Sequence, residues 1–338
     1  MRLLIFSAVL SIVSFLPSCM EPDDALILAD KKGVWIVNEG VFNSGNGGIG
    51  FLDEQYQYHQ DLFEPTNGYR AGDVVQDLLR HGKYLFMVVN NSGKIERLQA
   101  NDLRSEAVNS GFLSPRKICI WDDTSAFVSE LYKDVIYRID PMSLSIKEEI
   151  PCVGWTEGMV KAGNKLWIVN VERRKLLSYS PQFRQFTDSL DLPASPGDIL
   201  IDKEEKIWIY CGGIAGGNAH LMRINPNDGK VLTDLISNPV KEYVPKMCIN
   251  QAGDQLYVLH SGVFVVPIEA GSMPLSRLIS AGKHAYYGIG INNRNGDILI
   301  SQIEDFASPS KILVFDQKGL QKALPVSAGM ITSGFVER

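Results

Sequence analysis

The chain has 338 residues, a formal net charge of −6, 45% apolar residues, 30 glycines and five cysteines. Its acidic balance offers nothing that attracts a phosphate backbone, which sets nucleic-acid binding aside. No C-x-x-C pair occurs, so a redox dithiol or a zinc site of that type is not indicated.

At the head of the chain, Arg2 precedes an apolar run from Leu3 to Phe15, closed by Leu16-Pro17-Ser18-Cys19. The run is short for a bilayer span and reads as a cleaved export signal. Its end resembles the lipobox of bacterial lipoproteins, with Leu16 and Ser18 in pattern and Pro17 less usual at the middle position. The resemblance implies residues 1–18 as signal, a lipid on Cys19, and 19–32 as a tether that attaches the chain to a membrane. The alternative is an ordinary secretory signal cut near the same place. Met20-Glu21-Pro22-Asp23-Asp24 resembles the acidic tag that carries some lipoproteins to the outer face of the outer membrane, against the plainer reading of a solvated linker. The expected location is therefore the cell envelope, as an outer-membrane lipoprotein.

From residue 33 onward one motif recurs. A strand with an aromatic or aliphatic anchor runs into a small polar residue and a loop: Val34–Gly40, Leu85–Asn91, Ala126–Glu130, Leu166–Asn170, Ile207–Gly213, Leu256–Gly262 and Ile298–Gln302. The anchors Trp35, Phe86, Phe127, Trp167, Trp208, Tyr257 and Leu299 are 51, 41, 40, 41, 49 and 42 residues apart. A period in the low forties built of short strands predicts an all-β, seven-bladed β-propeller over 33–338, with four-stranded antiparallel blades. Blades are expected near 33–64, 74–110, 115–152, 156–192, 196–236, 245–281 and 286–326. Glycines in Arg80-His81-Gly82-Lys83, Lys161-Ala162-Gly163-Asn164, Gln251-Ala252-Gly253-Asp254 and Arg294-Asn295-Gly296-Asp297 supply the positive φ of short hairpins. The first unit lacks an opening strand, and Met330–Phe335 is left over. The C-terminal segment is thus expected to complete the N-terminal blade and remove two exposed edges.

The strand ends, the Asp-Pro and Asn-Pro turns and the opening stretch from Trp35 to Asp53 resemble the YncE-like, or surface-layer-type, seven-bladed propellers. More narrowly they resemble the surface lipoproteins of that group. One branch of these captures cobalamin for an outer-membrane transporter. The resemblance covers essentially the whole chain after the signal, and no ligand residue of that branch maps onto it one by one. Trp121-Asp122 is an isolated pair without the partners a WD40 repeat needs.

Other motifs dissolve in context. Gly45–Gly50 fits G-x-G-x-x-G but leads into a strand rather than a helix, as a hairpin loop would, and Gly212–Gly217 is its equivalent. The five histidines have no metal spacing, and Asn292–Asp297 lacks the closing glutamate of a calcium loop. No cofactor and no metal are expected. Cys119 and Cys248 sit among apolar strand residues, and the sequence leaves open whether Cys119 pairs with Cys152.

In a propeller, the loops after the second strand and before the first strand of each blade share one face. Candidate ligand contacts on that face are Asn90, Arg116, Glu130, Trp155, Glu157, Asn170, Tyr243, Lys246, His260 and Tyr287. Rings supply area there and a few polar groups fix orientation. The expectation is a non-enzymatic protein that binds a small-molecule nutrient, a corrinoid being the sharpest candidate, and hands it to an outer-membrane transporter. An interaction scaffold is the alternative. A propeller hydrolase or quinone-dependent dehydrogenase ranks last, because the strand ends offer few clustered carboxylates.

Overall fold

A computed structural model describes residues 31–212, 217–238 and 245–338. Seven four-stranded antiparallel sheets form the blades of a seven-bladed β-propeller. Blade 2, for example, runs Val75–His81, Tyr84–Val89, Lys94–Gln99 and Ser105–Asn109 from the channel outward. Blade 1 opens with the C-terminal strand Thr332–Glu337, which pairs antiparallel with Gly33–Asn38, so the two ends of the chain close the ring as the sequence suggested. A five-residue helical turn, Phe63–Asn67, follows the last strand of blade 1, and Gly68 ends it in the left-handed region (φ 75°). Among the described residues no helix is long and apolar enough to cross a membrane.

The recurring motif forms the second strand of each blade. Alternate residues point to opposite faces, so one strand serves two interfaces. In blade 2, Leu85, Met87 and Val89 pack against blade 1, while Phe86 and Val88 pack against blade 3. In blade 5, Ile207, Ile209 and Cys211 face blade 4 and Trp208 and Tyr210 face blade 6. All seven anchors are buried. The core is therefore seven inter-blade slabs rather than one centre, which lets the chain exceed the size of a single hydrophobic core. Cys119 and Cys152 lie in the slab between blades 3 and 4 as free, buried thiols, and burial pushes each up to about 11.

One irregularity recurs with the blades. Near the start of the first strand, next to the channel, a β-bulge appears in six of the seven blades. The extra residues are Ser333, Gln76, Arg116–Lys117, Glu157–Gly158, Gly197–Asp198 and Tyr287 in blades 1, 2, 3, 4, 5 and 7. A bulge leaves a backbone N–H without its ladder partner and re-aims a side chain. Serines of the second strand answer the first problem. Ser129 Oγ accepts from Lys117 N at 3.0 Å, and Ser301 Oγ accepts from Gly288 N at 2.7 Å.

Candidate functional site

The re-aimed side chains meet at one end of the channel. A cavity of about 540 Å³ opens there, lined by Gln76, Arg116, Lys117, Glu157, Asp198 and Tyr287 from the bulges, with Glu39, Trp155 and Lys246 beside them. Phe42 and Tyr132, both well exposed, stand on its rim. Of the residues expected to bind ligand, the structure brings Asn90, Arg116, Trp155, Glu157, Lys246 and Tyr287 together at this mouth. Tyr243 lies outside the described residues, as do Cys19 and residues 213–216 of the second glycine-rich loop.

The remaining expected residues, Glu130, Asn170 and His260, are bound into the fold as ties. Glu130 is fully buried and its carboxylate accepts the backbone N–H groups of Ser114, Leu131 and Tyr132. Asn170, also fully buried, donates to Val153 O at 2.9 Å and accepts from Arg173 N at 2.9 Å. His260 sits between blades with its Nδ1 2.8 Å from the Tyr210 hydroxyl. Burial, helped by the Arg277 charge, pushes its ring down to about 4, so it is neutral near pH 7. Asn90 touches the mouth but donates both its bonds, to Ser114 Oγ and Pro115 O. Each of these residues ends a second strand, where the chain turns away and orphan backbone groups need a side-chain partner.

The mouth holds a charge network. The Arg116 guanidinium forms a two-point pair with Glu157 (Nε to Oε2 2.8 Å, Nη2 to Oε1 3.0 Å) and donates from Nη1 to Gln76 Oε1 at 2.6 Å. Trp155 Nε1 donates to Glu157 Oε2 at 2.7 Å, and the guanidinium lies 5.7 Å from the Trp155 ring centre. Burial works against the charged form of Glu157, but Arg116, Lys117 and the Trp155 bond outweigh it and hold the carboxyl below its ordinary range. Lys117 Nζ donates to Asp77 Oδ1 at 2.9 Å. Burial disfavours its charge too, yet Asp77, Asp198 and Glu157 hold it above the ordinary lysine value. Asp77 Oδ2 also accepts Ile118 N from the next blade, and Asp198 Oδ2 accepts Met247 N at 2.9 Å.

Glu39 behaves differently. The Tyr287 hydroxyl donates to its carboxyl, 3.1 Å from Oε2. Burial raises its pKa, and Lys246, Ser333, Tyr287 and Arg116 only partly offset that. The expectation of few carboxylates near the channel is thus not met: Glu39, Asp77, Glu157 and Asp198 all reach it. Gln76, Asp77, Lys117 and Asp198 are not among the expected contacts: the repeat that announces the fold marks second strands, and which first-strand side chains face the channel depends on the bulge register. A signal was present: most blades open with a polar or glycine pair before the apolar alternation, as in Gln76-Asp77, Arg116-Lys117 and Gly197-Asp198. Among the described residues no group of histidine, cysteine and carboxylate side chains is arranged to hold a metal ion.

A second cavity, of about 420 Å³, lies on the opposite face between blades 3 and 4. Both of its arginines, Arg138 and Arg184, pair with its Glu148. The chain also enters and leaves on that face, where Arg338 N donates to Gly33 O at 3.2 Å.

A family model described as a domain of unknown function, DUF5074, matches residues 32–323. No curated protein matches the chain. Among solved structures, a quinonprotein alcohol dehydrogenase-like protein from Bacteroides thetaiotaomicron superposes with a TM-score of 0.75 at 15% identity, covering 91% of this chain and 78% of that one. A periplasmic gluconolactonase from Pseudomonas aeruginosa follows at a TM-score of 0.69 and 13% identity, covering 90% and 99%. A protein from Lactobacillus plantarum gives 0.67 at 12% identity, covering 91% and 99%. At such identities the likeness is one of fold.

Proposed function

We propose that this chain, which belongs to the DUF5074 family, captures a small organic ligand at the mouth of its channel without transforming it. The observation that carries this reading is the cavity itself. Its volume of about 540 Å³ falls in the range of sites for drug-sized ligands, and it joins aromatic walls to a few fixed polar groups. Two of its three lining carboxylates, Glu157 and Asp198, are committed to a cation or a backbone N–H group, and Asp77 behind them is held by Lys117, which favours binding over catalysis.

The setting of the proposal is the cell envelope, with the chain tethered through Cys19. Because the described chain begins on the face opposite the mouth, a tether there would leave the mouth facing away from the membrane, toward an incoming nutrient. Tethering near an outer-membrane transporter would raise the local ligand concentration. A corrinoid is larger than this cavity class and would lie across the mouth into the adjoining cleft of about 800 Å³, which shares Tyr132 and Trp155. Calorimetric titration with cyanocobalamin tests this form of the proposal. Submicromolar binding is expected, lost in Trp155→Ala/Tyr287→Ala while the melting temperature falls only by what the two lost donors to Glu157 and Glu39 cost. Absence of heat removes the corrinoid; equal loss of binding and stability assigns both residues a structural role.

A second reading is a scaffold for another envelope protein. It is favoured by the exposed Phe42, Leu113, Tyr132, Val153 and Phe306 on the loops around the mouth. Retention of a transporter on the immobilised protein, unaffected by filling the mouth, would support it.

A further inference from the structure

We propose that the ligand of the mouth is an organic carboxylate, met by Lys246 and Gln76. This rests on the reading that the mouth is the binding site, and not on the corrinoid.

A guanidinium can only donate, so Gln76 must turn its amide oxygen to Arg116. Its NH₂ group is then left toward the cavity, with no hydrogen-bond partner among the described residues. Lys246 lines the same cavity, and its ammonium group has no ion pair or hydrogen bond among the described residues. On the acceptor side, Glu157 is held by Arg116 and Trp155, Asp77 by Lys117 and the Ile118 N–H, and Asp198 by the Met247 N–H. The uncommitted donors are thus a cation and an amide, and they suit an anion with planar oxygens. Trp155, Tyr287, Phe42 and Tyr132 around them suit a flat apolar body.

The proton follows from the neighbours of Glu39. It faces Tyr287 of blade 7, Ser333 of blade 1, Lys246 of blade 6 and Arg116 of blade 3. Lys246 is the strongest of these in favouring the ionised form, while burial favours the neutral one. A carboxylate docked on Lys246 withdraws that support and adds a negative charge beside Glu39. The bound state therefore holds the proton more tightly than the free state. By linkage, affinity is highest where Glu39 is protonated and falls as pH rises through its ionisation. Tyr287, whose hydroxyl burial and the Glu39 charge hold well above the ordinary range, stays a donor throughout.

The test is calorimetry with 2-naphthoate, its neutral amide and the cationic 2-naphthylmethylammonium, at about pH 5.5 and about pH 8, in buffers of different ionisation heat. Naphthoate is expected to bind about tenfold or more tighter than the other two, more tightly at the lower pH, with proton uptake from the buffer. Glu39→Gln should abolish the uptake and the pH dependence while keeping the low-pH affinity. Lys246→Gln should lose about tenfold or more of the naphthoate affinity and nothing for the amide. Equal binding of the amide or the ammonium overturns the carboxylate proposal and leaves the mouth as a site. Naphthoate binding untouched by both Lys246→Gln and Trp155→Ala places the ligand elsewhere and overturns it too. If none of the three binds, the mouth reading falls with it.

Discussion

Glu157 shows how a single residue can be legible in kind and illegible in role. Its position before the apolar alternation of blade 4 pointed to the loop face, and it is there, but it spends its charge on Arg116 and on the Trp155 indole. Removing one partner of such a shielded pair strands the other, at a cost of about 3 kcal/mol. Because Glu157 is held below its ordinary range, its contribution is full above that range and is lost as pH falls through its depressed value. Thermal unfolding of Glu157→Gln should accordingly lie below wild type near neutral pH, and the two curves should converge in acid. Asn170, Glu130 and His260 look like ligand contacts in the sequence, and in the fold they make ties. A polar side chain at a strand end satisfies either task, and the partner that decides lies in a loop 17 residues away for Asn170 and in the neighbouring blade for His260. Asn170→Ala should cost about 1–3 kcal/mol by leaving Val153 O and Arg173 N unanswered, with ligand affinity in the mouth unchanged; urea unfolding and calorimetry separate the two effects.

The element that makes the site is the bulge at the head of the first strand. Side chains along a strand alternate with a period of two, so one extra residue shifts the phase of everything before it. In blade 5 this sends Gly197 against the Pro245 backbone leading into blade 6 and Asp198 toward the N–H of Met247. A Cβ on Gly197 would lie 2.3 Å from Pro245 O, closer than any backbone tolerates. Gly197→Ala must therefore push blades 5 and 6 apart beside the channel, and a destabilisation of about 1–3 kcal/mol in urea unfolding is expected. The paired polar residues that open the blades hint at the bulges. Their register became visible only with the partner strand in place.

Across the whole molecule, stability is distributed over seven slabs, and the seam between blades 7 and 1 depends on the pairing of Thr332–Glu337 with Gly33–Asn38. A chain ending at Ile331 would expose the edge of Gly33–Asn38 and the face of blade 7 that Phe335 covers. It should lose the single cooperative melting transition and form oligomers in size-exclusion chromatography, and a synthetic peptide of residues 332–338 should partly restore the monomer. The repeat of buried anchors determined the blade number, the strand order and this closure from the sequence alone, because inter-blade packing is local and uses the same second strand each time. Which polar residues enter the mouth was decided only by the tertiary structure. The ring brings first strands from distant parts of the chain to one axis, and the bulges set which of their side chains face it; neither relation is written in the spacing along a single strand.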